Sequence, residues 1–211
     1  MPIVIVDYDM GNLGSIANML KKINGKSRIT ADIDEIEAAE KLILPGVGAF
    51  DAGMRNLRER NLLSVLHHKV IQRKTPVLGI CLGMQLMTRR SAEGQLPGLG
   101  WIEAETVKFQ SGRGDEKFRI PHMGWNTITL KKTHPIVDNL SSQSRFYFVH
   151  SYYVKCIHQQ DILTETHYGR GEFTSAFHHE NVLGVQFHPE KSHKFGMQLL
   201  KNFLELSSAT Q

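Results

Sequence analysis

Short apolar runs alternate with amphipathic stretches along the first half of the chain. Consecutive apolar residues that end at glycine, proline or polar residues are typical of buried strands. Apolar residues that recur every three or four positions are typical of helices. These patterns predict strands at Met1–Val6, Lys41–Leu44 and Pro76–Ile80, and helices at Ser15–Ile23, at Asp51–Gln72 with an interruption near Arg60-Asn61, and after Cys81.

Segments in the second half of the chain alternate apolar and polar residues, which suggests antiparallel strands and hairpins. This alternation covers Thr127–Lys131, Arg145–Val154 and Thr174–Phe177. A buried strand at Val182–Phe187 then precedes an amphipathic helix from Phe195 to Leu206. The whole pattern predicts an α/β fold with one domain over residues 1–211 and a mixed, largely parallel central sheet flanked by helices.

Composition narrows the classes of protein to which the chain can belong. With 211 residues, of which 41% are hydrophobic, the chain can bury one substantial core. The net charge of +4 comes from scattered basic residues, so we expect no nucleic-acid partner. The apolar run at the N-terminus is far too short to span a bilayer, and the two cysteines do not form a disulfide framework. We therefore expect a cytoplasmic protein with no membrane partner.

Cys81 has the sequence surroundings of a nucleophile. Gly79-Ile80-Cys81-Leu82-Gly83 has the G-x-nucleophile-x-G form of a sharp turn between a strand and a helix. Such a turn needs small residues on both sides, because neighbouring backbone approaches closely. It also holds the sulfur at the carboxyl edge of the sheet, where open α/β folds bind their ligands.

A cysteine that carries out acyl transfer needs a base and a group that orients the base. His188 and Glu190 follow the buried strand that ends at Phe187, so we expect them at the same edge of the sheet as Cys81. Because His188 and Glu190 are two residues apart in extended chain, we expect their side chains to point to the same side. Pro189 stiffens the link between them.

Acyl transfer also needs backbone N–H groups that stabilise the oxyanion. Leu82, the residue after the nucleophile, supplies one N–H group in a turn of this type. The loop Pro45-Gly46-Val47-Gly48 is a candidate for the second, and its glycines let a peptide plane take either orientation. Gln85 lies one helical turn after Cys81 and is a candidate for binding a polar substrate.

Together these residues resemble the class I (triad type) glutamine amidotransferases, and among them the glutaminase subunits of imidazole glycerol phosphate synthase. The resemblance covers nearly the whole chain in family order. It rests on DYDMGNL (Asp7–Leu13), PGVGAF (Pro45–Phe50), GICLGMQL (Gly79–Leu86), PHMGWN (Pro121–Asn126), YFVHSY (Tyr147–Tyr152) and GVQFHPEKS (Gly184–Ser192).

The resemblance implies L-glutamine as the substrate, no cofactor and no metal. It assigns Cys81, His188 and Glu190 to a catalytic triad, Gln85 and Ser151 to glutamine binding, and the Gly46–Gly48 segment to a switchable oxyanion loop. It further implies that ammonia passes to a (β/α)₈-barrel synthase in a heterodimer. Four residues match positions at or near that interface: Asn12, Trp125, Tyr147 and Lys191. Trp125 also lies in a segment that we interpret as a loop, where a tryptophan is a typical interface anchor.

Two features leave the pathway open. The segments Gly94–Ile102 and Arg145–Tyr153 look more like a paralogous glutaminase that accompanies a sugar amidotransferase in surface-polysaccharide biosynthesis. Asp9 also stands where the family often has glycine. The same triad could alternatively serve an independent cysteine γ-glutamyl hydrolase. A non-catalytic binding subunit is a further alternative, against which the intact set of Cys81, His188 and Glu190 argues.

Overall fold

The first half of the chain alternates strands and helices, as the apolar pattern predicts. The computed structural model describes residues 3–110 and 118–206. The elements of the first half are β1 (Ile3–Val6), α1 (Leu13–Lys22), β2 (Ser27–Thr30), α2 (Ile33–Glu37), β3 (Lys41–Leu44), α3 (Phe50–Glu59), α4 (Leu62–His67), β4 (Val77–Ile80) and α5 (Leu82–Leu86).

The second half is mainly antiparallel. Its elements are β5 (Ala104–Lys108), β6 (His122–Thr127), β7 (Thr129–Leu130), β8 (Arg145–His150), β9 (Tyr152–Cys156), β10 (Ile162–Tyr168), β11 (Gly171–His179), β12 (Val182–Val185) and α6 (His193–Glu205). Strand β11 pairs antiparallel with β9, β10 and β12, while β6 and β8 form a separate two-stranded sheet.

Five neighbouring strands form a parallel block in the order β2-β1-β3-β4-β12. Strands β1, β4 and β12 are buried over their whole length, which is the environment that continuous apolar runs favour. The single α/β domain with a mixed, largely parallel central sheet is therefore confirmed. Because β3, β4 and β12 run in the same direction, the segments that follow them meet at one edge of the sheet.

The two faces of the sheet carry separate apolar layers. Successive residues of β1 alternate between them: Ile3 and Ile5 pack with residues of α1 and α6, whereas Val4 and Val6 pack with residues of α2, α3, α4 and α5. Within the described residues, no helix is both long and apolar enough to cross a membrane.

Some predicted elements have different bounds or a different structure. The predicted interruption of the helix at 51–72 is confirmed, because Asn61 has a left-handed backbone (φ 58°) between α3 and α4. The prediction that PHMGWN forms a loop is wrong, because its residues His122–Asn126 lie in strand β6, which pairs with β8. The single alternating segment Arg145–Val154 is two strands, β8 and β9, which are separated at Ser151.

Candidate active site

Cys81 occupies a sharp turn between β4 and α5. Its backbone has a positive φ of 54° with ψ −109°, a conformation that non-glycine residues rarely adopt. A Cβ atom on Gly83 would lie 1.8 Å from the carbonyl oxygen of Leu44, and one on Gly79 would lie 2.8 Å from the backbone of Met84. The turn therefore requires glycine on both sides of the cysteine, for the steric reason that the sequence suggests.

Strand β12 brings His188 to this turn. Val185 pairs with Ile80 across the parallel β4–β12 ladder, and its carbonyl accepts a hydrogen bond from the Cys81 N–H at 2.8 Å. The chain then continues past β12 along the same edge. The His188 N–H donates to the carbonyl of Tyr147 at 2.9 Å, which fixes the backbone of His188 against β8.

His188 and Glu190 form a buried pair. Nδ1 of His188 lies 2.7 Å from Oε1 of Glu190, and both side chains are only 1% exposed. Because Glu190 occupies Nδ1, Nε2 is the ring nitrogen available to Cys81. Burial alone would lower the pKa of His188, but the hydrogen bond to Glu190 and the negative charge of Cys81 and Glu190 outweigh it and raise that pKa to about 10. The imidazole is thus held as a proton donor at neutral pH.

The Gly46–Gly48 loop lies directly against the start of α5. The Leu82 N–H donates to the carbonyl oxygen of Gly46 at 3.4 Å. A Cβ atom on Gly46 would lie 2.7 Å from the side chain of Leu82, and Gly48 has a φ of +126° that favours glycine. Val47 is about half exposed. In this resting arrangement a carbonyl group faces the Leu82 N–H, so that donor is occupied and not open to a substrate oxygen.

Tyr8 holds the start of the same loop. Its side chain is fully buried, and its hydroxyl donates to the carbonyl of Pro45. Burial, with a contribution from the negative charge of Cys81, raises the pKa of the Tyr8 hydroxyl, so Tyr8 remains a neutral donor. The sequence contains DYDMGNL as a motif but gives no local sign that its tyrosine reaches this loop.

Gln85 is buried beneath Cys81 and has polar partners within the protein. Its Nε2 donates to the carbonyl of Tyr152 and to Oε1 of Gln186, each at 3.0 Å. Ser151 lies next to Tyr152 in the chain, at the break between β8 and β9, so the two proposed glutamine-binding residues converge on one region. Gln186 is not among the predicted site residues. Its Nε2 lies 3.7 Å from the sulfur of Cys81.

Four residues that the sequence assigns to a partner interface lie around His188 and Glu190, namely Asn12, Trp125, Tyr147 and Lys191. Asn12 donates to Oε1 of Glu190 at 3.3 Å, and the Lys191 ammonium lies 5.6 Å from the centre of the Tyr147 ring. Trp125 stacks on His193 at 5.3 Å, packs edge-on against Tyr147 and stays 46% exposed. These contacts connect the four residues with Glu190 and His188. Over residues 3–110 and 118–206, no group of three or more His, Cys, Asp or Glu side chains is arranged to hold a metal.

Comparison with known proteins identifies the family to which the chain belongs. The model of the family described as glutamine amidotransferase class-I matches residues 4–206. "Imidazole glycerol phosphate synthase subunit HisH 2" of Methanococcus maripaludis is 57% identical over 96% of this chain and 98% of its own length. The protein of the same name from Pseudomonas aeruginosa is 52% identical over 97% and 99%. The HisH protein of Leptospira borgpetersenii is 44% identical over 96% and 98%.

Solved structures share the fold at low sequence identity. One described as a glutamine amidotransferase has a TM-score of 0.72 at 20% identity and covers 96% of this chain and 97% of its own. The structure of PurLQS from Thermotoga maritima has a TM-score of 0.73 at 18% identity, with coverages of 96% and 97%. The fold, the family model over residues 4–206 and the full-length relatives agree that this chain belongs to the class-I glutamine amidotransferase family of enzymes.

Proposed function

We propose that the chain is the glutaminase component of an imidazole glycerol phosphate synthase and that it hydrolyses L-glutamine through Cys81, His188 and Glu190. The observation that carries this proposal is the buried His188–Glu190 pair beside the strained turn at Cys81. A buried imidazole oriented by a carboxylate is the partner that a cysteine nucleophile needs. Full-length relatives named as the HisH subunit of imidazole glycerol phosphate synthase support this assignment, and we place the chain in histidine biosynthesis on that basis.

The geometry suggests the following sequence of proton and bond changes. The Cys81 sulfur, as thiolate, attacks the side-chain amide carbon of glutamine to give a tetrahedral oxyanion. Nε2 of the protonated His188 gives its proton to the amide nitrogen, the C–N bond breaks, and ammonia leaves. Water then attacks the glutamyl thioester while it gives a proton to His188. The C–S bond breaks, which restores the Cys81 thiolate, and the γ-carboxylic acid leaves and loses its proton to solvent as glutamate. Glu190 keeps the ring oriented in both halves.

The oxyanion needs two N–H donors, and one of them is occupied at rest. We assign these donors to Leu82 and to a peptide of the Gly46–Gly48 loop. The Gly46 carbonyl now accepts from Leu82, so the loop must turn over before the site can stabilise a developing negative charge. Glycine at 46 and 48 makes such a peptide rotation possible at low cost.

Ammonia would pass to a (β/α)₈-barrel synthase partner bound in a heterodimer, which uses it to form imidazole glycerol phosphate and AICAR. We assign the contact to Asn12, Trp125, Tyr147 and Lys191. Trp125 is a half-exposed aromatic beside the triad, the kind of anchor that dominates many interfaces. Asn12 contacts Glu190 directly, so a partner that binds here would touch the catalytic group.

Replacement of the nucleophile tests the proposal. In the complex with the barrel partner, Cys81→Ala should lower glutamine-dependent synthesis by at least about a thousandfold, as loss of a covalent nucleophile does. Synthesis from added ammonium should be unchanged, because the barrel performs that step. Cys156→Ala, which removes the other buried cysteine, is the matched control and should keep both activities. Normal glutamine-dependent synthesis by Cys81→Ala would refute the proposed nucleophile.

A second function is favoured by the names of two relatives. The Methanococcus and Pseudomonas proteins, at 57% and 52% identity, both carry the number 2, whereas relatives named HisH without a number are 42–45% identical. This pattern keeps open a paralogous glutaminase that supplies ammonia to a sugar amidotransferase. Co-purification with each candidate partner, followed by measurement of glutaminase turnover, separates the two. An independent γ-glutamyl hydrolase would need full turnover without a partner, and the occupied Leu82 N–H argues against that.

A further inference from the structure

Two polar side chains reach Cys81 from the end of β12. Gln186 and His188 stand two positions apart just beyond the end of β12, and Phe187 between them packs into the core. The side chain of Gln186 has no exposed surface, and its Nε2 lies 3.7 Å from the Cys81 sulfur. The proposed triad of Cys81, His188 and Glu190 gives no role to this buried Gln186 amide, although it lies next to the sulfur.

The orientation of this amide follows from its other contacts. The carbonyl of Tyr152 can only accept a hydrogen bond, so the Gln85 group that faces it at 3.0 Å must be the NH₂ group. The same NH₂ group faces Gln186 at 3.0 Å, so Gln186 must turn its oxygen toward Gln85. The NH₂ group of Gln186 is then left for Cys81. The chain of contacts from Tyr152 to the sulfur admits only this direction of donation.

A donor aimed at sulfur has a chemical consequence in so dry a site. Cys81 is 7% exposed, so water can solvate a thiolate there only poorly. A fixed N–H dipole stabilises the anionic form, and hydrogen bonds to charged groups are about twice as strong as those between neutral groups. The same contact fixes the direction of the sulfur relative to His188.

We propose that Gln186 is a hydrogen-bond donor to the Cys81 thiolate, separate from the proposed acid–base residue His188, and that Gln85 is the positioning residue that orients it. The proposal rests on the proposed function in one respect, namely that Cys81 is the nucleophile. It adds a residue that touches the reacting sulfur atom. It also gives Gln85 a role within the protein, because the Gln85 amide donates to Gln186 before any substrate arrives.

Alkylation of Cys81 measures the thiolate without requiring turnover. We would treat the full chain with iodoacetamide across a pH series and quantify labelling of the Cys81 peptide by mass spectrometry. Gln186→Met keeps the approximate shape and removes the donor, and Gln186→Glu keeps the shape but places a negative oxygen beside the sulfur. Gln198→Met on α6 is the matched control. Cys156, whose thiol pKa is raised to about 12 by burial and by the nearby negative charge of Asp161, is an internal reference in every sample.

We expect the midpoint of Cys81 labelling in Gln186→Met to move to higher pH by about one unit, with a larger shift in Gln186→Glu. Gln198→Met should leave the midpoint unchanged, and Gln85→Met should shift it in the same direction as Gln186→Met. In the partner complex, Gln186→Met should lower kcat for glutamine by about tenfold with little change in KM.

An unchanged midpoint in folded Gln186→Met or Gln186→Glu would overturn the inference, whatever the effect on activity. If Gln186→Met does not fold, as judged by circular dichroism, the comparison of Gln186→Glu with wild type decides. Failure of the proposed function is a separate result, because it would appear as normal glutamine turnover in Cys81→Ala.

Discussion

Within the turn around Cys81, Gly83 is the position that least tolerates an added side chain. A Cβ atom there would lie 1.8 Å from the backbone oxygen of Leu44, and backbone of a buried strand cannot move aside cheaply. We predict that Gly83→Ala lowers the free energy of unfolding by more than about 3 kcal/mol and abolishes glutaminase activity. Denaturant titration followed by circular dichroism measures the change.

Gly14 in helix α1 provides the matched control for Gly83, because nothing lies within 4 Å of a Cβ atom added there. Gly14→Ala should be neutral or stabilise the chain by up to about 1 kcal/mol, since alanine is the better helix former. Equal stability of Gly83→Ala and Gly14→Ala would contradict the packing of the turn.

For single residues, the sequence predicts a functional role where the neighbouring residues in the chain indicate the chemistry. Cys81 stands between Gly79 and Gly83, and His188 and Glu190 follow an apolar strand. The local sequence is therefore enough to predict all three as candidate catalytic residues. Gln186 could not be nominated in the same way, because its significance lies in contacts with Cys81 and Gln85, 105 and 101 positions away. The only local sign is that it stands two positions before His188.

Strand β6 shows why some elements escape the sequence pattern. Pro121 and Gly124 are turn signals, and Gly124 does have a positive φ of 127°. The segment is nevertheless a strand, because its residues pair with β8, as in His122 with His150 and Trp125 with Tyr147. Local signals cannot show such long-range pairing.

Strand β2 escapes prediction for another reason. It lies at the edge of the sheet, and its residues Ser27–Thr30 are half-buried or exposed, so it has no apolar run. Helix α2 (Ile33–Glu37), which follows it, is too short to show a helical period.

The β6–β8 pair carries two buried histidines that should make stability depend on pH. Nδ1 of His122 lies 3.0 Å from Nε2 of His150, and burial lowers the pKa of His122 to about 4 and, as the main cause, that of His150 to about 3. Both stay neutral in the native state as pH falls below 6.5, whereas the unfolded chain takes up protons. Stability should therefore fall on acidification, and the loss should be largest between pH 6.5 and about 4.

We predict that the thermal midpoint drops by roughly 10 °C between pH 6.5 and 5. The pH dependence of the His122→Gln/His150→Gln double variant should be flatter in a thermal scan. His188 acts weakly in the opposite direction in this window, because its pKa in the folded chain is raised to about 10. It stays protonated when folded, while the unfolded imidazole is half protonated at pH 6.5 and nearly fully protonated at pH 5, a difference worth only about 0.4 kcal/mol. An equally steep pH dependence in the double variant would show that other groups cause the loss.

For the whole molecule, the order of the parallel strands determines which segments meet. The apolar runs at β1, β3, β4 and β12 predict buried parallel strands, and parallel strands carry their following loops to one edge. The meeting of the Pro45 loop, Cys81 and His188 could therefore be predicted. The resting orientation of the loop could not, because either peptide orientation satisfies the same glycine pattern.

The resting loop leads to a prediction about the chain and its partner together. With the Gly46 carbonyl on the Leu82 N–H, the isolated chain lacks one oxyanion donor, which typically costs at least about a hundredfold in kcat. If the proposed barrel partner turns the loop over, glutaminase turnover should rise by about that factor on its addition, and KM should change less. Tyr8→Phe, which removes the hydrogen bond that holds Pro45, should narrow the difference by raising the turnover of the isolated chain. If wild-type turnover were the same with and without the partner, the occupied donor would have no catalytic consequence, because the loop would turn freely without help.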